Sequence, residues 1–180
     1  MTHEIILAGF GGQGVMVMGQ LLTYAGMLEG AYVSWIPSYG PEMRGGTANC
    51  SVIISQEPIG SPIVTEATAV VAMNLPSLEK FESSLSPGGI LILNSSLIDQ
   101  SSKRDDIVTY KVPANDIANH LGNAKMANMV ALGALNAALG YAVDTSKIME
   151  AFQKVFAKKP AIVAPNEQAI LAGVKHITGQ

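Results

Sequence analysis

Charge is scarce in this sequence. Asp, Glu, Lys and Arg make up 14% of its 180 residues, against about 25% in an ordinary soluble domain. The net charge is −3 and only two arginines occur, Arg44 and Arg104. That excludes the basic face on which nucleic-acid binding depends. No lysine precedes Lys80, so a phosphate bound near the amino terminus is expected to be held mainly by main-chain amides. Cysteine is rarer still. Cys50 stands alone, which rules out an internal disulfide and the four thiolates of an iron–sulfur cluster. His3, His120 and His176 are scattered without metal-ligand spacing, so no zinc site is legible.

Long apolar runs are also missing, although two stretches lack charge altogether, residues 5–28 and 126–143. Glycines break the first, and what remains falls short of the roughly 20 apolar residues of a membrane span. The second carries Asn128, Gly133, Asn136 and Gly140 among alanines and is only weakly apolar. The chain opens with His3-Glu4 where a signal peptide would have basic residues. A cytoplasmic protein without a membrane span is expected.

What is present begins with Gly9-Phe10-Gly11-Gly12-Gln13-Gly14. This run follows the apolar Ile5-Ile6-Leu7-Ala8 and precedes a helix-like stretch over residues 15–28. Strand, glycine turn and helix together aim backbone N–H groups and a positive helix end at an anion. The six residues Gly9, Phe10, Gly11, Gly12, Gln13 and Gly14 are therefore the candidate cofactor-binding loop. The amides of residues 11–14 would hold a phosphate, and Gln13 could add a side-chain bond. The alternative is a glycine turn that only lets strand and helix pack closely. The dinucleotide fingerprint requires an acidic residue about 20 positions on, where this chain has Ser34-Trp35-Ile36-Pro37-Ser38. A nucleotide-triphosphate loop requires Lys followed by Ser or Thr after its last glycine, and here stand Val15 and Met16.

Short Val- and Ile-rich runs at residues 4–9, 31–36, 50–55, 67–74, 90–94 and 107–112 read as strands. Helical patterns alternate with several of them, over residues 13–29 and after Asn74, which can cap a helix carrying Pro76 in its first turn. Such alternation predicts an α/β fold with a Rossmann-like, mostly parallel sheet. Residues 49–55 and 59–64, separated by Gln56-Glu57-Pro58, read as an antiparallel hairpin added to it. The last third is helical: 113–121, 126–139, a segment capped by Asp144, and one opened by Pro165. Residues 126–139 lack a polar face, which predicts burial all round, either in this chain's core or under a neighbouring subunit. With no linker or repeat, residues 1–180 form one expected domain.

A second unusual segment reads Ser38-Tyr39-Gly40-Pro41-Glu42-Met43-Arg44-Gly45-Gly46. Together with the glycine loop and Asn128-Met129-Val130-Ala131-Leu132-Gly133-Ala134, it resembles the gamma subunit of 2-oxoacid:ferredoxin oxidoreductases over essentially the whole chain. The resemblance implies an enzyme that converts a 2-oxoacid, coenzyme A and oxidised ferredoxin into acyl-CoA, CO₂ and reduced ferredoxin. It implies thiamine diphosphate, Mg²⁺ and iron–sulfur clusters in alpha, beta and delta (ferredoxin-like) partner subunits. It places a gamma part against alpha and gives that part a share in receiving coenzyme A. The pyruvate, ketoisovalerate and 2-oxoglutarate branches all fall within the likeness, and a short free-standing gamma chain is most like the 2-oxoglutarate one. No catalytic residue and no metal ligand is expected here, nor any activity from the chain alone.

The residues Ser38 to Gly46 are then expected to contact the alpha subunit, with Glu42 and Arg44 making charge-assisted hydrogen bonds. The plain alternative is a Glu42–Arg44 pair that braces its own loop. Trp35 and Cys50 read as core residues, and His120 as a helix-end residue. Two competing functions, a stand-alone NAD(P)-dependent enzyme and a regulatory protein that binds an adenine nucleotide, predict nucleotide binding without thiamine-dependent partners.

Overall fold

The computed structural model describes residues 1–39 and 47–179. Its first strand, β1 (Thr2–Phe10), buries Ile5, Ile6, Leu7 and Ala8. A continuous apolar run of this kind suits a strand covered on both faces. After it come α1 (Val15–Leu28), β2 (Tyr32–Tyr39), β3 (Thr47–Ser55), β4 (Ala67–Ala72), α2 (Leu75–Phe81), β5 (Leu85–Asn94) and β6 (Val108–Val112). The helical third contains α3 (Ala114–His120), α4 (Ala127–Ala138), α5 (Thr145–Val155) and α6 (Val163–Thr178).

The strands form one sheet in the order β2-β3-β1-β4-β5-β6. β1, β4, β5 and β6 run parallel, while β3 is antiparallel to both of its neighbours. Side chains alternate between two cores. Ile5, Leu7, Val52, Val71 and Ile92 face the thick helical layer that includes α1 and α4. Ile6, Ala8, Val70, Leu91 and Leu93 face the thinner side, where Leu78 of α2 packs.

The α/β architecture and the helical last third are as expected, but the expected hairpin partner is not. Residues 59–64 form no strand. Both hydrogen-bonding edges of β3 are taken, by β1 and β2, so a third partner has nowhere to pair. Pro58 and Pro62 also remove donors that a strand there would need. The antiparallel element is β2–β3.

Asn74 caps α2 as its sequence suggests, accepting from Ser77 N–H at 2.9 Å. Asp144 does the same for α5, taking Ser146 N–H at 2.7 Å. The last helix begins at Val163, earlier than expected, and leaves Pro165 in the first turn, where its missing N–H costs nothing. As for α4, ten consecutive residues, Ala127 to Asn136, are buried, and this chain's own elements do the burying. α4 packs on α6, α3 and β5. The α4–α6 crossing is closest at Gly133 and Gly173, where a Cβ on either would collide with backbone of the other helix.

Candidate functional site

The parallel strands bring their carboxyl ends to one edge of the sheet. From β1 the chain turns through α1 to β2 and β3 on one side, and β4 to β6 continue on the other. A reversal of this kind opens a crevice at the strand ends, the usual ligand position in open α/β sheets. Gly9 to Gly14 lie in it.

A network of amides sets the shape of the loop. Gln13 N–H donates to Phe10 O at 3.0 Å and closes the turn. Gln13 Oε1 accepts from Phe10 N–H at 2.6 Å and from Asn74 Nδ2 at 3.0 Å, while its Nε2 donates to Met73 O at 3.2 Å. Asn94 Nδ2 donates to that same carbonyl at 3.2 Å and to Asn115 Oδ1 at 2.8 Å. Asn94 Oδ1 in turn accepts Ala114 N–H at 3.2 Å. Four side-chain amides thus tie the ends of β1, β4 and β5 to the start of α3. Gln13 is largely committed to this brace, with one Nε2 hydrogen left over.

The loop amides are left open. Gly11, Gly12 and Gly14 N–H find no acceptor among the described residues. Gly12 and Gly14 adopt φ values of 95° and 74°, in the left-handed region that glycine tolerates best. α1 starts without a side-chain cap and without an acidic residue in its first turn. Its unsatisfied N–H groups and positive dipole end therefore remain uncompensated.

The cation missing from the first part of the sequence arrives from the far part. A short turn, Ala124–Met126, precedes α4 and carries Lys125; Asn123 Oδ1 shapes that turn by accepting Lys125 N–H at 3.0 Å. Asn128, in the first turn of α4, donates from Nδ2 to Gly14 O at 3.3 Å and joins the two segments. Between them lies a cavity of about 210 Å³ whose lining includes Gly12, Gln13, Met73, Asn115, Lys125 and Asn128. Lys125 forms no ion pair with a described residue. Main-chain amides were expected to do most of the holding, with no cation near in sequence; the fold adds Lys125 to the same cavity wall. Lys125 and Asn128 were invisible as site residues because only the tertiary fold brings them to the loop, although Asn128 opens a motif that the resemblance had marked.

This set can donate hydrogen bonds and supply one positive charge. It has no carboxylate, imidazole or thiol to make or break a bond, and so suits an oxyanion. Cys50 is buried away from the cavity, 3.4 Å from Val15 O. Burial pushes its thiol up to about 11, which the Trp35 side chain offsets only in part. His120 Nδ1 lies 2.7 Å from Asp116 O on its own helix, a helix-end position. Among the described residues no three His, Cys, Asp or Glu side chains come together as metal ligands, and no helix is long and apolar enough to cross a membrane.

Of the second segment, Ser38 and Tyr39 end β2, and Tyr39 is 58% exposed. Tyr39 pairs with Ala48, and Thr47 pairs with Phe10. The flanks of the segment therefore stand beside the strand that leads into the glycine loop. Gly40, Pro41, Glu42, Met43, Arg44, Gly45 and Gly46 lie outside the described residues.

A family model described as pyruvate ferredoxin/flavodoxin oxidoreductase matches residues 4–176. The chain belongs to this family. Among the family's curated members, the ketoisovalerate oxidoreductase subunit VorA of Methanothermobacter thermautotrophicus is 41% identical over 172 residues, 96% of this chain. This chain spans only 36% of VorA's length. The 2-oxoglutarate synthase subunit KorC of Methanothermobacter marburgensis is 38% identical over 147 residues, covering 78% of this chain and 79% of KorC. In three dimensions, the gamma subunit of a keto/oxoacid ferredoxin oxidoreductase from Geobacter sulfurreducens superimposes with a TM-score of 0.84 at 28% identity, covering 99% of both chains. The fold is that of the family's gamma subunits.

Proposed function

We propose that this chain serves as the gamma subunit of a 2-oxoacid:ferredoxin oxidoreductase and that its glycine loop receives a phosphate of coenzyme A. The observation that carries the second half is the cavity that Gly12, its amide open like those of Gly11 and Gly14, lines together with Gln13, Lys125 and Asn128. Amides at a helix start are a natural phosphate site, and Lys125 adds the charge the loop lacks. The oxidation itself, 2-oxoacid plus coenzyme A plus oxidised ferredoxin to acyl-CoA, CO₂ and reduced ferredoxin, then belongs to thiamine diphosphate, Mg²⁺ and iron–sulfur clusters in alpha, beta and delta-type partners. The described residues of this chain do not fit an iron–sulfur cluster, which needs four thiolates: its one cysteine is buried with a raised thiol, and no three metal-ligating side chains come together. This chain's own part is to hold and orient the acyl acceptor.

Calorimetry on the assembled complex tests the reading. Coenzyme A binds the wild type, and Lys125→Ala weakens it about tenfold or more, since a charged hydrogen bond contributes about 1.5–3 kcal/mol. Unchanged affinity in that variant would overturn the assignment. The relatives' names carry ketoisovalerate and 2-oxoglutarate, at 41% and 38% identity, and also pyruvate, at 29%. Turnover on a panel of 2-oxoacids, with 2-oxoglutarate as the first arm, decides between them.

The segment from Ser38 to Gly46 is assigned to the contact with the alpha subunit. Support comes from the exposed Tyr39 on its flank and from the position of both flanks at the sheet edge that carries the glycine loop. Arg44→Ala should lower the yield of complex more than turnover per assembled complex, and the reverse result would point to catalysis instead.

A further inference from the structure

The buried side chain of Asn74 bonds in two directions. Its Oδ1 accepts Ser77 N–H at 2.9 Å and caps α2. Its Nδ2 donates to Gln13 Oε1 at 3.0 Å and so joins the end of β4 to the glycine loop. A helix cap needs only the acceptor, and Ser or Asp would supply one as well as Asn does. The donor serves Gln13 instead.

With Oε1 also accepting Phe10 N–H, the Gln13 amide can face only one way. Turned over, its nitrogen would meet the Phe10 and Asn74 donors, and its oxygen would meet Met73 O. Held as it is, Nε2 bonds Met73 O and keeps one hydrogen for the cavity that Gln13 lines. Gly9 leaves room for this arrangement: a Cβ there would stand 2.7 Å from Gln13 Oε1 and 3.0 Å from Met73 Cβ. Groups that bind a ligand keep their productive orientation through hydrogen bonds made behind them. Resting on the phosphate reading above, we infer that Asn74 is a positioning residue for the glycine loop. Asn74 does not itself line the cavity. It acts through Gln13, keeping Phe10 N–H satisfied inside the turn and the spare Nε2 hydrogen turned to the anion.

Calorimetry with inorganic pyrophosphate on the assembled complex tests this. Asn74→Ser keeps an oxygen to cap α2 but is too short to reach Gln13. Pyrophosphate should then bind about three- to tenfold more weakly, the scale of one hydrogen bond. Asn74→Asp keeps both size and cap, sets an oxygen against Gln13 Oε1, and should weaken binding at least as much. If Asn74 were only a cap, both variants would bind as the wild type does, and that result would overturn the inference. A double-mutant cycle reads the route. In a Gln13→Ala background, Asn74→Ser should alter pyrophosphate affinity by less than about twofold. An equal loss with and without the Gln13 side chain would also overturn the inference. Failure of the underlying phosphate site looks different: the wild type would then not bind pyrophosphate, or Lys125→Ala would bind it equally well.

Discussion

Replacing Gly14 by alanine burdens the site in two separable ways. Gly14 is the residue before α1 and holds φ 74°, ψ 21°; an L-residue in the left-handed region costs roughly 1–2 kcal/mol. Its new Cβ would also fall against the Asn128 side chain, 2.9 Å from Cγ and 3.3 Å from Cβ. Asn128 must then swing away and give up its 3.3 Å bond to Gly14 O, a loss of about 0.5–1.5 kcal/mol. Together these predict about 2–3 kcal/mol of destabilisation in urea unfolding. Gly12 supplies the control. Its φ of 95° imposes strain of the same kind, but open space surrounds the position of a Cβ. Gly12→Ala should therefore cost about 1 kcal/mol less than Gly14→Ala. Adding Asn128→Ala to each variant should erase that difference, because the amide that collides is gone. If Gly14→Ala proved no costlier than Gly12→Ala, or the difference survived removal of the Asn128 amide, the described junction between loop and α4 would be wrong.

Other consequences are simpler to measure. Gly173→Ala drives a methyl into the backbone of α4 at Val130 and Ala134, and backbone cannot step aside as a side chain can. A loss of about 3 kcal/mol or more in urea unfolding is expected, and a neutral substitution would refute the close crossing. Cys50, with its thiol raised to about 11 by burial, should react negligibly with thiol reagents at pH 8 until the protein is unfolded; fast labelling of native protein would contradict this. Glu150 is held down to about 2, first by Lys154 and then by Lys147. Because its folded value lies below the unfolded one of about 4.3, its stabilising effect is present above that pH and fades as pH falls toward 2. An NMR titration should show the low midpoint, and Lys154→Ala should move it upward; a midpoint near 4.3 in the wild type would refute the pairing.

The glycine loop could be read from the sequence because its requirements are local: an apolar run, a turn that tolerates unusual φ, and a helix start within a few residues. The caps at Asn74 and Asp144 were legible for the same reason. The pairing of β3 was not. Residues 59–64 carry enough Ile and Val to look like a partner, but which edge a strand occupies depends on β1 and β2, not on its own composition. The burial of α4 was plain from its missing polar face, yet only the fold shows that α6, α3 and β5 do the covering, with α6 closest at Gly173. Lys125 and Asn128 complete the candidate site from another part of the chain, and a charge argument confined to the neighbourhood of the loop could not find them.

The most direct test is the position of coenzyme A in crystals of the assembled complex. The account predicts a phosphate within hydrogen-bonding distance of the Gly11, Gly12 and Gly14 amides, with the Lys125 ammonium against it. Coenzyme A bound elsewhere, with those amides facing only solvent, would contradict it.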